Sequence, residues 1–122
     1  MRAAILHEAG QPVTLEEVAI EAPRAGEVLV RIAASGICAS DLHVVHGRGN
    51  AGKTKPVILG HEGAGIVEEV GPGVRGLARG DHVVLAMVGP CGHCAACTAG
   101  RLQFCEGPEM KSALGLMADG ST

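Results

Sequence analysis

Four cysteines run through the chain as Cys91-x2-Cys94-x2-Cys97-x7-Cys105, a spacing that suits a tetrahedral thiolate cage for zinc. Two-residue gaps fold a ligand pair into a tight knuckle with both sulfurs facing one point. Gly92, Gly100 and Gly107 give such a loop the permissive backbone it needs. The other reading is a set of buried cysteines or a disulfide pair. In a chain with no secretory signal, a cysteine cluster of this kind favours metal. A site closed by four sulfurs is structural and performs no chemistry itself. His93 lies inside the knuckle, but the tetrahedron is complete without it, and it is assigned to the surface.

The chemistry is therefore sought upstream. Cys38-Ala39-Ser40-Asp41-Leu42-His43 compresses several useful groups into one helical turn and its entry. Cys38 falls at the predicted helix N-terminus, where free backbone N–H groups favour the thiolate. Further on, Gly60-His61-Glu62-Gly63 squeezes a His–Glu pair between glycines after an apolar run. Each has a plain reading: Cys38 as a small buried hydrophobe, His61 as a turn histidine, Glu62 as a solvated charge. Their joint occurrence ahead of a zinc knuckle favours function. No role is read for His46 or His82, and His7 is read as structural.

The elements that must hold these groups are mostly strands. Met1 to His7 and Val13 to Ile20 are apolar runs separated by Gly10-Gln11-Pro12, and Ala22 to Gly26 is turn chemistry. From Glu27 to Ala34, Val28, Val30, Ile32 and Ala34 alternate as a strand with one buried face should. Gly63 to Gly71 and Gly80 to Val88 read as two more strands, joined through Pro72-Gly73 and Arg79-Gly80-Asp81. One short helix is expected, with Cys38, Leu42 and Val45 on its apolar face, and a further strand is suggested at Ala113 to Met117.

At 122 residues the chain is one domain or part of one, large enough for a core. Phe104 is the only aromatic residue, so that core must be aliphatic. The formal charge of −3 becomes more negative with zinc on four thiolates, because the ion offsets only two of their four charges. That balance, without basic and aromatic residues interleaved, excludes a nucleic-acid surface. No apolar run approaches the ~20 residues that span a bilayer, and the charged start does not read as a signal peptide. A cytoplasmic location without membrane partner is the expectation.

Taken in order, Gly36-Ile37-Cys38-Ala39-Ser40-Asp41-Leu42-His43, Gly60-His61-Glu62-Gly63-Ala64-Gly65 and the cysteine lobe resemble the N-terminal catalytic domain of the zinc-dependent medium-chain alcohol dehydrogenases. The likeness spans essentially the whole chain. It implies a mostly-β, GroES-like, partly open barrel over residues 1–122, with one short helix and a structural-zinc lobe at about 88–110. In that family the catalytic zinc takes a Cys, a His and a second Cys and keeps one position open. The first two map to Cys38 and His61. Glu62 matches an acid that can approach the metal and assist ligand exchange, and Asp41 matches the carboxylate that orients the histidine. Zinc would ease the loss of an alcohol's proton, with hydride passing to NAD or NADP. Ser40 would hydrogen-bond the alcohol oxygen, and His43 would carry its proton toward solvent. A helix-cap role for Ser40 and a surface position for His43 are the alternatives.

Some of the family's parts are missing. No cysteine follows Cys105 to serve as third catalytic ligand. No Gly-x-Gly-x-x-Gly opens a nucleotide-binding Rossmann unit, and Gly60-x-x-Gly-x-Gly has the order wrong. Ala39 stands where the family often has a basic residue for the cofactor pyrophosphate. Thr122 then reads as a break within the domain. A weak Cys38/His61 site and no turnover by this chain alone are expected, and unpaired strand edges should favour self-association, in line with a homo-oligomer acting on a small alcohol or aldehyde. The rivals are a zinc-stabilised binding module without catalysis, and a dehydrogenase of polyols or of a thiol adduct of formaldehyde.

Overall fold

In the computed structural model, residues 1–48, 56–87 and 89–107 are described; the strand expected at 113–117 lies outside them, as do the margins of the expected lobe at 88 and 108–110. Strands β1 (Arg2–Leu6), β2 (Thr14–Glu17) and β4 (Val57–Ile58) form one antiparallel sheet in the order β2-β1-β4. Strands β3 (Val28–Ser35), β5 (Gly63–Val70) and β6 (His82–Val84) form a second, in the order β3-β5-β6. Helix α1 (Ala39–Val45) follows β3. The mostly-β expectation stands, with one addition to the single expected helix: the lobe carries a helical turn, α2 (Ala95–Thr98), and a 3-10 turn at Leu102–Phe104.

The core is aliphatic, as a chain with one aromatic residue requires. Leu6, Val44 and Val57 are buried together, with Val45 and Leu59 packed against them, while Phe104 is exposed. Helix α1 docks through its last turn, where Gly10 N–H donates to the Val45 carbonyl at 2.7 Å. Tethered there, it buries Val44 and leaves Leu42 half exposed, which corrects the predicted apolar face. The reversal after β5 follows turn chemistry: Gly71-Pro72-Gly73-Val74 closes with Val74 N–H on the Gly71 carbonyl, Pro72 fixes the first corner and Gly73 takes φ 80 at the second.

The β3–β5 ladder positions the site. Its register runs Val30↔Val67, Ile32↔Gly65, Ala34↔Ala64 and Ser35↔Gly63, with irregularities at Leu29/Val30 and Ile32/Ala34. Ala33 is the unpaired residue of the second irregularity. This extra residue interrupts the alternation read from the sequence. Val28 and Val30 are half-buried as expected, but Ile32, ahead of the extra residue, and Ala34, beyond it, are both exposed.

Gly65 shows how tightly this ladder is drawn. A Cβ there would overlap the Arg31 carbonyl oxygen and lie 2.8 Å from Val30 Cγ1. Backbone paired on both sides cannot swing aside, so Gly65→Ala is expected to cost about 1–3 kcal/mol. Urea unfolding should register this as a lower midpoint at unchanged slope, and an unmoved midpoint would contradict the packing.

Candidate metal centres

The lobe brings its four cysteines to one point. Cys94 is the N-cap of α2, Cys97 lies on that turn, and the 3-10 turn delivers Cys105. The four sulfurs all lie within 4.8 Å of one another, and Cys91 and Cys97 Sγ are 4.0 Å apart. A zinc tetrahedron with Zn–S bonds of about 2.3 Å has edges of about 3.8 Å, so the donor set fits that ion with little closure. All five cysteines of the chain are free thiols.

Backbone N–H groups already point at these sulfurs. Cys91 N–H and Gly107 N–H each donate to Cys105 Sγ at 3.3 Å, and Cys94 N–H donates to Cys91 Sγ at 3.4 Å. Donors of this kind favour thiolates. The N–H groups of Glu106 and Cys97 lower the Cys94 thiol to about 6, and those of Cys91 and Gly107 lower Cys105. Burial pushes Cys97 the other way, up to about 12. Four adjacent sulfurs cannot all ionise unless a cation sits among them. His93 is exposed, its Nδ1 2.8 Å from the Cys91 carbonyl, which matches its assignment to the surface.

The second group forms where β3 and β5 end. Beyond the Ser35↔Gly63 pair, Gly36 N–H donates to the Glu62 carbonyl at 3.0 Å. Cys38, after β3, and His61, before β5, then lie just past the same end of one antiparallel ladder, which closes the long gap between them in sequence. Donor atoms of Cys38, His61 and Glu62 all come within 4.8 Å of one another. Thiolate, imidazole and carboxylate are zinc donors.

Asp41 holds two parts of this group at once. Its Oδ2 accepts from Cys38 N–H at 3.0 Å, capping α1, and its Oδ1 faces His61 Nδ1 at 3.3 Å. With the proton on Nδ1, His61 turns Nε2 toward Ser40 Oγ, 3.3 Å away. The Cys38 thiol is lowered chiefly by hydrogen bonds from the Ser40 hydroxyl and N–H, then by His61. The direction is the one expected from the sequence, and the Ser40 N–H in the first turn of α1 is a donor of the expected kind, to which the Ser40 hydroxyl and His61 add. His61 is raised, mainly by its hydrogen bond with Cys38 and further by the Asp41 charge, against burial.

Ser40, Asp41, Cys38, His61 and Glu62 are thus brought together, whereas His43 is exposed and its side chain has no hydrogen-bond partner among the described residues. Sequence reasoning missed the double use of Asp41. The signal available for it was an acid three residues after the N-cap, the capping-box position.

The family model for the alcohol dehydrogenase GroES-like domain matches residues 24–122. An S-(hydroxymethyl)glutathione dehydrogenase of Paracoccus denitrificans is 45% identical over 99% of this chain and 32% of its own length. An NDMA-dependent alcohol dehydrogenase of Amycolatopsis methanolica is 45% identical over 86% of this chain and 28% of its own. Among solved structures, an alcohol dehydrogenase zinc-binding domain protein from Burkholderia ambifaria superposes with TM-score 0.85 at 46% identity, covering 99% of this chain and 32% of that one. A cobalt- and zinc-bound thermostable alcohol dehydrogenase from Pyrobaculum aerophilum gives TM-score 0.77 at 39% identity, covering 94% and 36%. The chain spans about a third of the length of the curated relatives it matches. With its fold, its cysteine lobe and this match in hand, the chain belongs to the alcohol dehydrogenase GroES-like domain family.

Proposed function

We propose that this chain is the N-terminal catalytic-domain portion of an NAD(P)-dependent zinc alcohol dehydrogenase, interconverting small alcohols with aldehydes or ketones. The observation that carries the reading is the convergence of Cys38, His61 and Glu62 at the end of one ladder, with Asp41 behind the histidine. Cys91, Cys94, Cys97 and Cys105 would hold a structural zinc, and Cys38 and His61 a catalytic one. When bound there, zinc supplies a Lewis acid that makes an alcohol's proton easier to remove near neutral pH.

The chain's own residues do the rest. Asp41 keeps the His61 ring turned and its Nδ1 protonated. Ser40 Oγ, beside His61 Nε2, is placed to accept a proton from an alcohol at the open face and hand it outward. His43, three residues on along α1, would receive that proton by rotating its exposed side chain. Nicotinamide binding belongs to a part of the polypeptide outside this chain, and a homo-oligomer in the cytoplasm is part of the same proposal. Among the described residues no helix is long and apolar enough to cross a membrane. A thiol adduct of formaldehyde is the second substrate class, supported by the name of the Paracoccus relative.

The test uses a polypeptide of the relatives' full length, assayed for nicotinamide reduction with simple alcohols and with S-(hydroxymethyl)glutathione. Turnover with either class is expected, and none with both would overturn the proposal. In the same material Asp41→Asn should weaken zinc at the Cys38/His61 centre about 10–100-fold. Competition against a chelator measures this, and wild-type affinity in the variant would remove Asp41 from its role.

A further inference from the structure

The Glu62 side chain lies across the α-carbon of Gly36. A Cβ built on Gly36 would overlap Glu62 Oε2 and come within 3.1 Å of its Cβ and 3.2 Å of its Cδ. Gly36 is not among the glycines with positive φ, so its backbone conformation is open to alanine. What glycine supplies here is room.

That room has a use. Glu62 is an exposed carboxylate whose ordinary preference is to extend into water, away from the Cys38 sulfur. Two groups that ionise to negative forms repel when brought this close, unless a cation lies between them. Yet its oxygen is held within 4.8 Å of the Cys38 and His61 donor atoms. The Gly36 N–H bond to the Glu62 carbonyl fixes the two backbones, and the absent side chain leaves a slot along which the carboxylate folds back. A thiolate and a carboxylate on a divalent ion, with a neutral imidazole, make a site of zero net charge.

We propose that Gly36 is a positioning residue, whose missing side chain forms the slot that seats the Glu62 carboxylate as a metal ligand alongside Cys38 and His61. This rests on the reading of Cys38 and His61 as a metal centre, and deepens it. The overlapping Glu62 oxygen is the far end of a flexible side chain. A methyl group on Gly36 therefore displaces the carboxylate at little cost to the fold, and the loss falls on the metal.

Cadmium titration of the chain, followed by cadmium NMR, separates a four-sulfur signal from that of a mixed sulfur, nitrogen and oxygen site. Gly36→Ala and Glu62→Ala should each weaken cadmium at the mixed site about 10–100-fold and leave the four-sulfur signal in place. Adding Gly36→Ala to Glu62→Ala should change nothing more, because the slot is then empty. Losses that add in the double variant, or a Gly36→Ala chain with wild-type affinity, overturn the proposal. Should Gly36→Ala alone fail to fold, the double variant must fold, since the overlap with Oε2 is gone and the remaining 3.1 Å approach to the Cβ of residue 62 asks for a shift of only a few tenths of an ångström; failure of both also overturns it. Cys38→Ser separates the two readings. A mixed-site signal that survives it defeats the metal centre itself, whereas loss of that signal beside an unaffected Gly36→Ala defeats only the slot.

Discussion

Cys97→Ala in the zinc-loaded chain is expected to release the lobe's metal and unfold residues 91–107, leaving both sheets in place. Among the described residues of the lobe, only Cys97, Cys105 and Gly107 are buried. Leu102 and Phe104, the side chains that could make an apolar centre, are 48% and 63% exposed. The inside of the lobe is sulfur, and packing cannot hold it. Structural zinc in such sites carries on the order of 10–16 kcal/mol of apparent binding free energy, which is folding free energy where no other core exists. Removing the buried sulfur leaves three ligands and a gap open to water. Zinc per chain should fall by one equivalent, and trypsin should cut after the exposed Arg101 far faster than in the parent. A variant that keeps its metal and its resistance to trypsin would show that the lobe is held by something else. Acid should act in the same sense. Metal binding requires all four thiolates, and protons return to them as pH falls, so zinc retention weakens toward low pH and strengthens as pH rises.

The parts of this molecule governed by local rules were legible in the sequence. Gly63 to Gly71 was expected as a strand and β5 runs Gly63–Val70; Glu27 to Ala34 was expected and β3 runs Val28–Ser35. Alternation and flanking glycines carry that information. Cys38 was placed at a helix N-terminus and is the N-cap of α1. Val57–Ile58 was not read as a strand, because two residues give no period to detect and their pairing with β1 is a tertiary event. The strand expected from Gly80 to Val88 shrinks to His82–Val84, and Val84 at its end is 82% exposed, so hydrophobicity alone overstated its length. The cysteine quartet was readable because its ligands are close in sequence and their spacing is itself geometry. The Cys38–His61–Glu62 group was not readable from spacing, since it depends on the register of β3 against β5 and on a bulge at Ala33. Only the order of the motifs, through their resemblance to a family, anticipated it. The overlap of Glu62 with the space over Gly36 was beyond either route.

His61→Ala, made in a polypeptide of the relatives' full length, is expected to abolish nicotinamide-linked alcohol oxidation while sparing the fold and the lobe's zinc. The ring is the hub of the second centre: Nδ1 faces Asp41, Nε2 faces Ser40, and its donor atoms lie within 4.8 Å of those of Cys38 and Glu62. Its loss leaves only Cys38 and Glu62 of the three donors, and the Asp41 oxygen without its partner. The side chain is 18% exposed and belongs to a turn outside the Leu6–Val44–Val57 core, so unfolding should shift little. Lewis-acid stabilisation is worth several kcal/mol at the transition state, so turnover should drop on the order of a thousandfold or more. Zinc should fall by one equivalent per chain, with the lobe's equivalent resistant to mild chelation. These outcomes divide the two classes of function this chain could serve. A zinc-stabilised binding module has no use for His61, and in it the alanine variant would keep its metal count and lose nothing measurable. An unfolded variant would give neither result, and the lobe's retained zinc is the internal control that tells these cases apart.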